Sequence, residues 1–161
     1  MNDARVIDVR LEPMTEERYR RYRELAEQDY AGNIAESGAM SYPDALAKSA
    51  EDFGRLLPKG LASPDQFLFT GWDGETEVGV LWLRIEQKSD GLHAFGFDFR
   101  VEPELRRHGY GRAIMVAAEQ ICRERGVVSV GLSVFGFNLG ARSLYEQMGF
   151  EVTAVQMRKR L

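Results

Sequence analysis

The N-terminal third of the chain alternates between strand-like and helix-like hydrophobic patterns. Residues 6–11 alternate apolar and polar side chains, which predicts an opening strand. Thr15 then stands where a helix N-cap is expected, and apolar residues at helical spacing predict a helix over residues 18–35. Ser41 is a second N-cap in front of a second amphipathic helix. The glycine and prolines of residues 58–64 predict a loop after that helix.

The middle of the chain carries three strand patterns, over residues 66–72, 77–87 and 92–101. Asp-Gly pairs at residues 73–74 and 90–91 separate them, and Asp-Gly is a strong signal for a tight hairpin turn. These patterns therefore predict an antiparallel meander.

The C-terminal part changes to alternating helices and strands. A helix is predicted over residues 109–125, a buried strand over 127–135, a helix over 139–148 and a last strand over 151–158. Strands that flank a helix in a βαβ unit lie parallel with a right-handed crossover, so residues 92–135 predict one parallel strand pair. The whole pattern predicts a mixed α/β layer fold.

Composition places all 161 residues in a single ordered domain, because 44% of them are hydrophobic and only five are proline. The single cysteine, Cys122, excludes an internal disulfide, suggests a reducing compartment and stands on an apolar helix stripe, where we expect it to pack. No apolar stretch is long enough to cross a bilayer, and the N-terminal residues Met1 to Ala4 lack a basic-then-apolar signal pattern. A cytoplasmic protein is expected.

Charge is distributed unevenly along the chain. Residues 1–99 carry 11 basic and 19 acidic side chains, a balance of −8, whereas residues 100–161 carry 10 and 6, a balance of +4. A basic C-terminal part suits an anionic ligand, and an acidic N-terminal part suits a cationic one, although solvated acidic helix faces explain the latter equally well. No basic run is interleaved with aromatic residues, so nucleic-acid binding is not expected.

The segment from Arg106 to Gly111 is predicted to connect a strand to a helix through a Gly-X-Gly loop. Such a loop leaves backbone N–H groups and the positive end of the helix dipole facing outward, which suits a pyrophosphate. Arg106, Arg107 and Arg112 add positive charge around it.

Two familiar phosphate loops fit poorly. A dinucleotide loop needs a third glycine where this chain has Ile114, and a Walker loop needs Gly-Lys-Ser/Thr, which does not follow Gly109. The pattern Arg106-X-X-Gly109-X-Gly111 instead resembles motif A of the GNAT superfamily of acyl-CoA N-acyltransferases. The flank Val101-Glu102-Pro103-Glu104 agrees with that resemblance. So does the downstream series Asn138, Ala141, Leu144-Tyr145 and Met148-Gly149-Phe150.

The GNAT resemblance implies a mixed, mostly antiparallel central sheet with helices on both faces and a splayed parallel strand pair that holds CoA. It implies acetyl-CoA as cosubstrate, with the backbone of Phe99, Arg100 and Val101 against the pantetheine arm and a backbone N–H of this strand facing the thioester oxygen. The remaining cofactor-binding residues expected from the motifs are Arg106, Arg107, His108, Gly109, Tyr110, Gly111, Arg112, Asn138 and Ala141.

Tyr145 is the catalytic acid that the resemblance implies. A phenol with a pKa of about 10 can protonate a thiolate whose conjugate thiol has a pKa of about 8.5. Asn138 stands seven residues earlier, where it would cap the same helix and lie on the same helical stripe. Capping alone would explain Asn138, and core packing alone would explain Tyr145, so each residue has a structural and a functional interpretation.

The general base is less constrained. Asp98 is the first choice, with its side chain expected on the face opposite Phe97 and Phe99. Glu86 and His93 are alternatives. His108 lies inside the phosphate loop, so a backbone or phosphate-facing role is expected for it instead of catalysis. The GNAT resemblance also allows water to remove the amine proton, as in many members of that family. No His, Cys, Asp or Glu grouping has metal-ligand spacing, so no metal is expected.

The sequence therefore predicts an acetyl-CoA-dependent N-acetyltransferase that acts by direct transfer to a primary amine. The alternatives are a non-catalytic acyl-CoA sensor on the same fold and, less consistent with the loop, a nucleotide-binding oxidoreductase. Expected partners are a small-molecule or protein amine, without nucleic acid or membrane, and homodimer formation stays open. The sequence leaves the acceptor and the acyl-chain preference open as well.

Overall fold

The computed structural model describes residues 5–161, so Met1 to Ala4, on which the signal-pattern expectation rests, lie outside the described residues. The strands are β1 (Arg10–Pro13), β2 (Gln66–Asp73), β3 (Thr76–Lys88), β4 (Gly91–Val101) and β5 (Val127–Leu132). The helices are α1 (Glu16–Glu36), α2 (Tyr42–Leu56), α3 (Tyr110–Glu124) and α4 (Leu139–Gln147). Short 3₁₀ turns occupy Gly60–Ala62 and Pro103–Leu105.

The strands form one sheet in the order β1-β2-β3-β4-β5. The first four are antiparallel neighbours, and β4 and β5 are parallel. Pairing between β4 and β5 ends at Gly96 and Leu132, although β4 continues to Val101. The predicted mixed, mostly antiparallel sheet with a splayed parallel pair is confirmed.

Helices cover both faces of this sheet. On one face, Tyr22 of α1 and Phe53 of α2 pack in a cluster with Trp82 of β3. On the other face, Ile114 of α3 packs in a cluster with Leu81 of β3. The two faces of β3 therefore supply two cores, and its central residues are buried on both sides.

The predicted helix starts are confirmed by their caps. The Thr15 hydroxyl accepts a hydrogen bond from the Arg18 N–H at 3.2 Å, and the Ser41 hydroxyl accepts one from the Asp44 N–H at 3.4 Å. Each cap satisfies a donor that the first helical turn leaves without a partner.

Three predicted strands need correction. The opening strand covers residues 10–13 instead of 6–11. Arg10 pairs with Trp72, and β2 extends only one residue beyond Trp72, so it offers hardly any partner to the residues before Arg10. The strand predicted as buried over 127–135 ends at Leu132 and has an exposed centre, because β5 lies at the edge of the sheet. Residues 151–158 form no strand, and every one of them is exposed.

Among residues 5–161, none of the helices combines the length and the hydropathy required of a membrane span.

Candidate active site

The loop between β4 and α3 has the backbone shape that the sequence predicted. Its turn uses positive φ angles at Arg107 (64°) and Gly109 (88°), and Gly109 is the N-cap of α3. Glycine adopts this angle readily, whereas Arg107 does so at a cost in strain. No side chain caps α3, so the N–H groups of its first turn are available to an anion.

Gly111 serves a different purpose from Gly109. Its φ is not positive, and a Cβ built there would lie 3.3 Å from Leu144 Cδ2 and 3.6 Å from Phe99 Cζ. Gly111 therefore needs no special backbone angle. The residue is small because α3, α4 and β4 meet at this point.

Several side chains of this loop form hydrogen bonds with other residues of the protein. Arg106 Nε donates to the Val101 carbonyl at 3.3 Å, and Arg112 Nη2 donates to Gln147 Oε1 at 2.8 Å. His108 Nδ1 lies 3.2 Å from the Leu105 carbonyl oxygen, in agreement with a loop-shaping role. The Tyr110 hydroxyl donates to Asp73 at the β2–β3 turn at 2.7 Å. Tyr110 therefore offers the loop its backbone N–H only.

Strand β4 contains a bulge at the point where it leaves β5. Asp98 pairs with Trp82 and Gly96 pairs with Leu83, so Phe97 is an extra residue without a partner on β3. The bulge cancels one step of the side-chain alternation. The ring centroid of Phe97 lies 4.8 Å from that of Trp82, on the α1 face of the sheet. The side chain of Asp98 also faces α1, where it meets Tyr22. The expectation that Asp98 points away from Phe97 is therefore wrong, whereas Phe99 does lie on the opposite face, with the α3 cluster.

Beyond the bulge, β4 has one unpaired edge. Phe99, Arg100 and Val101 pair with β3, but β5 has already diverged after Leu132. Within the described residues no strand occupies the other side of this stretch. The edge ends beside the loop, so a free row of peptide groups leads to the first turn of α3.

Tyr145 is brought to this edge by α4. Its ring lies between Phe99, with centroids 6.0 Å apart, and Phe150, with centroids 5.7 Å apart. Burial raises the pKa of Tyr145 to about 12, with a further contribution from the Asp98 carboxylate. The phenol therefore carries its proton throughout the neutral pH range.

Asp98 lies in a polar network that the sequence did not reveal. Its Oδ2 accepts hydrogen bonds from the Tyr22 hydroxyl at 2.6 Å and from Arg100 Nη2 at 3.2 Å. Arg100 also forms an ion pair with Asp29, which lies on the exposed side of α1. Burial and the neighbouring Asp98 charge raise the pKa of Tyr22 well above its usual value. Tyr22 sits in the apolar helix stripe of α1, so its spacing gave no sign of a polar role.

Asn138 caps α4 as predicted. Its Oδ1 accepts a hydrogen bond from the Ala141 N–H at 3.2 Å. The backbone N–H of Ala141 therefore already has an acceptor within the protein. The Nδ2 group of Asn138 is not used by this cap and is left to donate elsewhere.

The alternative bases lie away from this centre. Glu86 and His93 pair with each other across β3 and β4, five residues before Asp98 along the strand, which is roughly 16 Å at the usual rise per residue. His93 contacts Asp90 and Ser129 through its two ring nitrogens. Neither residue can reach Tyr145 or the unpaired edge.

One further position, Cys122, can be assigned directly. Cys122 lies on the buried face of α3 and belongs to the core cluster with Ile114 and Leu81, so its predicted packing role is confirmed. Burial also raises the pKa of its thiol. Over residues 5–161, no set of three or more His, Cys, Asp or Glu side chains is arranged to hold a metal ion.

Comparison with known proteins agrees with this arrangement. Residues 15–150 match the Acetyltransferase (GNAT) family. The chain is 35% identical to the uncharacterized N-acetyltransferase YycN of Bacillus subtilis (strain 168), over 95% of this chain and 99% of that protein. The crystal structure of YycN superposes with a TM-score of 0.92, covering 95% of this chain and 98% of that one. A mycothiol acetyltransferase of Propionibacterium freudenreichii is 30% identical over 76% of this chain, which corresponds to 36% of that longer protein. The chain therefore belongs to the GNAT family of acetyltransferases.

Proposed function

We propose that this protein is an acetyl-CoA-dependent N-acetyltransferase that moves an acetyl group directly to a primary amine. The observation that carries the proposal is the unpaired edge of β4 at Phe99 to Val101, which ends at the uncapped first turn of α3. An extended arm of amide groups fits the first feature, and a pyrophosphate fits the second. CoA contains both in sequence.

The residues that would hold acetyl-CoA lie along this path. Phe99, Arg100 and Val101 would pair their backbone with the pantetheine arm, as an added strand does. The N–H groups from Gly109 to Arg112 would receive the pyrophosphate, with Arg107 supplying charge. Asn138 Nδ2 would donate to the arm from the start of α4. Arg106 and Ala141 would act as supports, because their hydrogen bonds are made within the protein.

Tyr145 would act as the general acid. Acetyl-CoA supplies a thioester, whose C–S bond breaks as the new C–N bond forms. Tyr145 lies against Phe99 at the splayed edge and keeps its proton because burial raises its pKa to about 12. Its hydroxyl would pass that proton to the departing thiolate sulfur and would then be reprotonated from solvent.

Asp98 would receive the proton that the amine loses. Its Oδ2 is held by Tyr22 and Arg100, which leaves Oδ1 to accept a hydrogen bond from an amine. The bulge at Phe97 places this carboxylate on the α1 side of β4, so the amine would approach from α1. Asp98 and Asp29 both pair with Arg100, so this group carries two negative charges against one positive charge, and the balance suits a cationic acceptor.

Direct transfer is supported by the state of the one cysteine in the chain. Cys122 is on the buried face of α3, and burial raises the pKa of its thiol, which disfavours the nucleophilic thiolate. The acetyl group would therefore pass to the amine without an enzyme-bound intermediate.

Titration calorimetry with acetyl-CoA, NAD and ATP tests the cosubstrate, and acetyl-CoA alone should bind with release of heat. Thiol release from acetyl-CoA, followed with a thiol reagent over a library of small amines, amino acids and peptides, then tests the transfer. Binding without turnover on any amine would favour an acyl-CoA sensor. Absence of acetyl-CoA binding would refute the proposed function.

A further inference from the structure

Arg84 of β3 carries a buried polar atom that lacks a partner, and among the described residues it is the only such side chain. Its Nε is buried and forms no hydrogen bond there. The carboxylate of Glu86 lies 3.5 Å from Nη2, which is long for a charge-assisted hydrogen bond, and it is shared with Lys88 at 3.8 Å. Gln66 stands opposite Arg84 on β2, but its Oε1 already accepts a hydrogen bond from Trp82. A guanidinium in this state is suited to an acceptor group that a ligand supplies.

The guanidinium of Arg84 is held in place by aromatic rings. Its central carbon lies 5.2 Å from the ring centroid of Phe97 and 5.9 Å from that of Phe95, within the range of cation–π contacts. The two rings pack edge to face, with their centroids 5.0 Å apart. The Arg84 side chain remains 32% exposed, so its outer N–H groups can be reached from solvent. The aromatic rings therefore fix the position of the guanidinium without using its N–H groups.

Arg84 and Asp98 lie on the same face of the sheet. Asp98 pairs with Trp82, and Arg84 follows Trp82 by two residues, so its side chain points to the same face. Diagonal neighbours of this kind are roughly 7–8 Å apart. The surface that joins them is aromatic, because Phe97 precedes Asp98 in the chain and contacts Arg84. Phe95 beside it is half-buried and belongs to neither core of β3, so this surface is accessible.

We propose that the acceptor is an amino carboxylate and that Arg84 determines this specificity by binding its carboxylate. The inference rests on the proposed function, in which Asp98 receives the amine proton. The amine would lie against Asp98 Oδ1, the carbon chain over Phe97, and the carboxylate on the outer N–H groups of Arg84. A guanidinium presents parallel N–H donors that match a carboxylate. Because the aromatic rings already position it, little side-chain freedom is lost on binding.

The same geometry disfavours other primary amines. A monoamine without a carboxylate would leave Arg84 without an acceptor, and a diamine would place a second cation against the guanidinium. A site built to hydrogen-bond a polar group rejects a ligand that lacks it, because the donors of the site then stay unpaired. Arg84 would therefore select among the amines that Asp98 alone would accept.

Matched acceptor pairs test this specificity. In each pair a methyl group replaces the carboxylate: glycine and ethylamine, γ-aminobutyrate and butylamine, δ-aminovalerate and pentylamine, ε-aminocaproate and hexylamine. Thiol release from acetyl-CoA gives kcat/KM for each. At least one amino carboxylate should exceed its partner by about tenfold or more, the usual contribution of hydrogen bonds to a charged group.

Variants of Arg84 test which residue causes the preference. Arg84→Gln should bring the ratio of kcat/KM within that pair close to one. Arg84→Lys should retain part of the ratio, because it keeps the charge and loses the planar pair of donors. Lys88→Gln is the matched control, because it removes a cation from the same strand beyond the aromatic surface, and it should leave the ratio unchanged. Circular dichroism and acetyl-CoA affinity verify the fold of each variant.

Calorimetry of the same pairs, on the free protein and on protein saturated with CoA, measures acceptor binding without turnover. The preferred amino carboxylate should bind more tightly than its alkylamine partner, and Arg84→Gln should remove the difference. This measurement keeps the inference separate from the transfer reaction.

The possible outcomes distinguish the two proposals. Turnover of alkylamines without a preference for any amino carboxylate would overturn the inference and leave the proposed function intact. A preference that survives Arg84→Gln would do the same. Absence of turnover on every amine would refute the proposed function instead. In that case a binding preference lost in Arg84→Gln would support the role of Arg84, and equal binding of the paired ligands would overturn it.

Discussion

The ring of Tyr145 packs against the ring of Phe99, with their centroids 6.0 Å apart and their planes tilted by 51°. Phe99 belongs to the part of β4 that β5 leaves unpaired, so this contact attaches α4 to the edge where the acyl carrier would lie. Burial raises the pKa of the Tyr145 phenol to about 12, with a further contribution from Asp98, so the phenol keeps its proton beside this edge. Its hydroxyl is therefore available to the reaction.

Replacing Tyr145 by phenylalanine should lower kcat by about 10²–10⁴-fold, the usual contribution of a general acid. Acetyl-CoA affinity should stay unchanged, because the ring contacts with Phe99 and Phe150 are retained. Steady-state kinetics with an accepted amine and calorimetry with acetyl-CoA measure the two effects. A variant within about twofold of the wild-type kcat would remove the acid role.

The stability of the protein at alkaline pH should depend on the burial of the Tyr145 phenol. The folded-state pKa of Tyr145 is raised from 10.0 to about 12, so the folded state keeps its proton where the unfolded state loses it. The stability contributed by this group is complete below pH 10 and is lost as the pH rises towards 12. Denaturant unfolding of wild type and Tyr145→Phe between pH 8 and 11.5 should show a smaller loss in the variant. Equal losses in the two proteins would mean that the phenol is not buried as described.

Gly109→Ala should weaken acetyl-CoA binding. Alanine at φ 88° is strained by roughly 1 kcal/mol, and the loop would relax away from the shape that presents its N–H groups. Gly126→Ala, at φ 77° after α3, is the matched control, because it carries similar strain far from the loop. Calorimetry should show lower affinity for Gly109→Ala alone, and equal affinities for the two variants would contradict a backbone role in binding.

Arg107→Ala should reduce affinity for CoA more than affinity for pantetheine, because the arginine would meet phosphate and not the arm. Added salt should weaken CoA binding to the wild type more than to the variant. Calorimetry at two salt concentrations measures both effects. Equal losses for the two ligands would show that Arg107 contributes only to loop shape.

Tyr22→Phe tests the support of Asp98. It removes the hydroxyl that donates to Oδ2 and leaves a ring of the same shape in the core, so KM for acetyl-CoA should hold. The kcat for the amine should fall, because the Asp98 carboxylate would lose a hydrogen bond that holds it in place. Asp98→Asn should lower kcat further, because an amide cannot take up the amine proton. A kcat unchanged in both variants would favour water as the base.

The sequence predicted correctly those features whose signals lie within the element itself, such as the helix caps. The caps at Thr15, Ser41 and Asn138 are local signals, and the structure confirms them. The bulge at Phe97 was not predictable, because it depends on how β3 and β4 align and leaves no mark in residue type. Tyr22 was likewise hidden among apolar helix positions. Residues 151–158 show the remaining limit, because a strand pattern records a propensity and says nothing about which edge will be present to pair with it.

Helix α4 also sets a fixed spacing within the enzyme. Asn138 begins it, Tyr145 stands about 10 Å further along at the usual helical rise, and Gln147 near its end holds Arg112 of the loop. One residue inserted between Asn138 and Tyr145 would rotate everything after it by about 100° and withdraw the phenol from β4. The distance between Asn138, proposed to bind the arm, and Tyr145, proposed to donate the proton, is therefore set by the number of residues between them. We expect this helix to tolerate substitutions far more readily than changes in length.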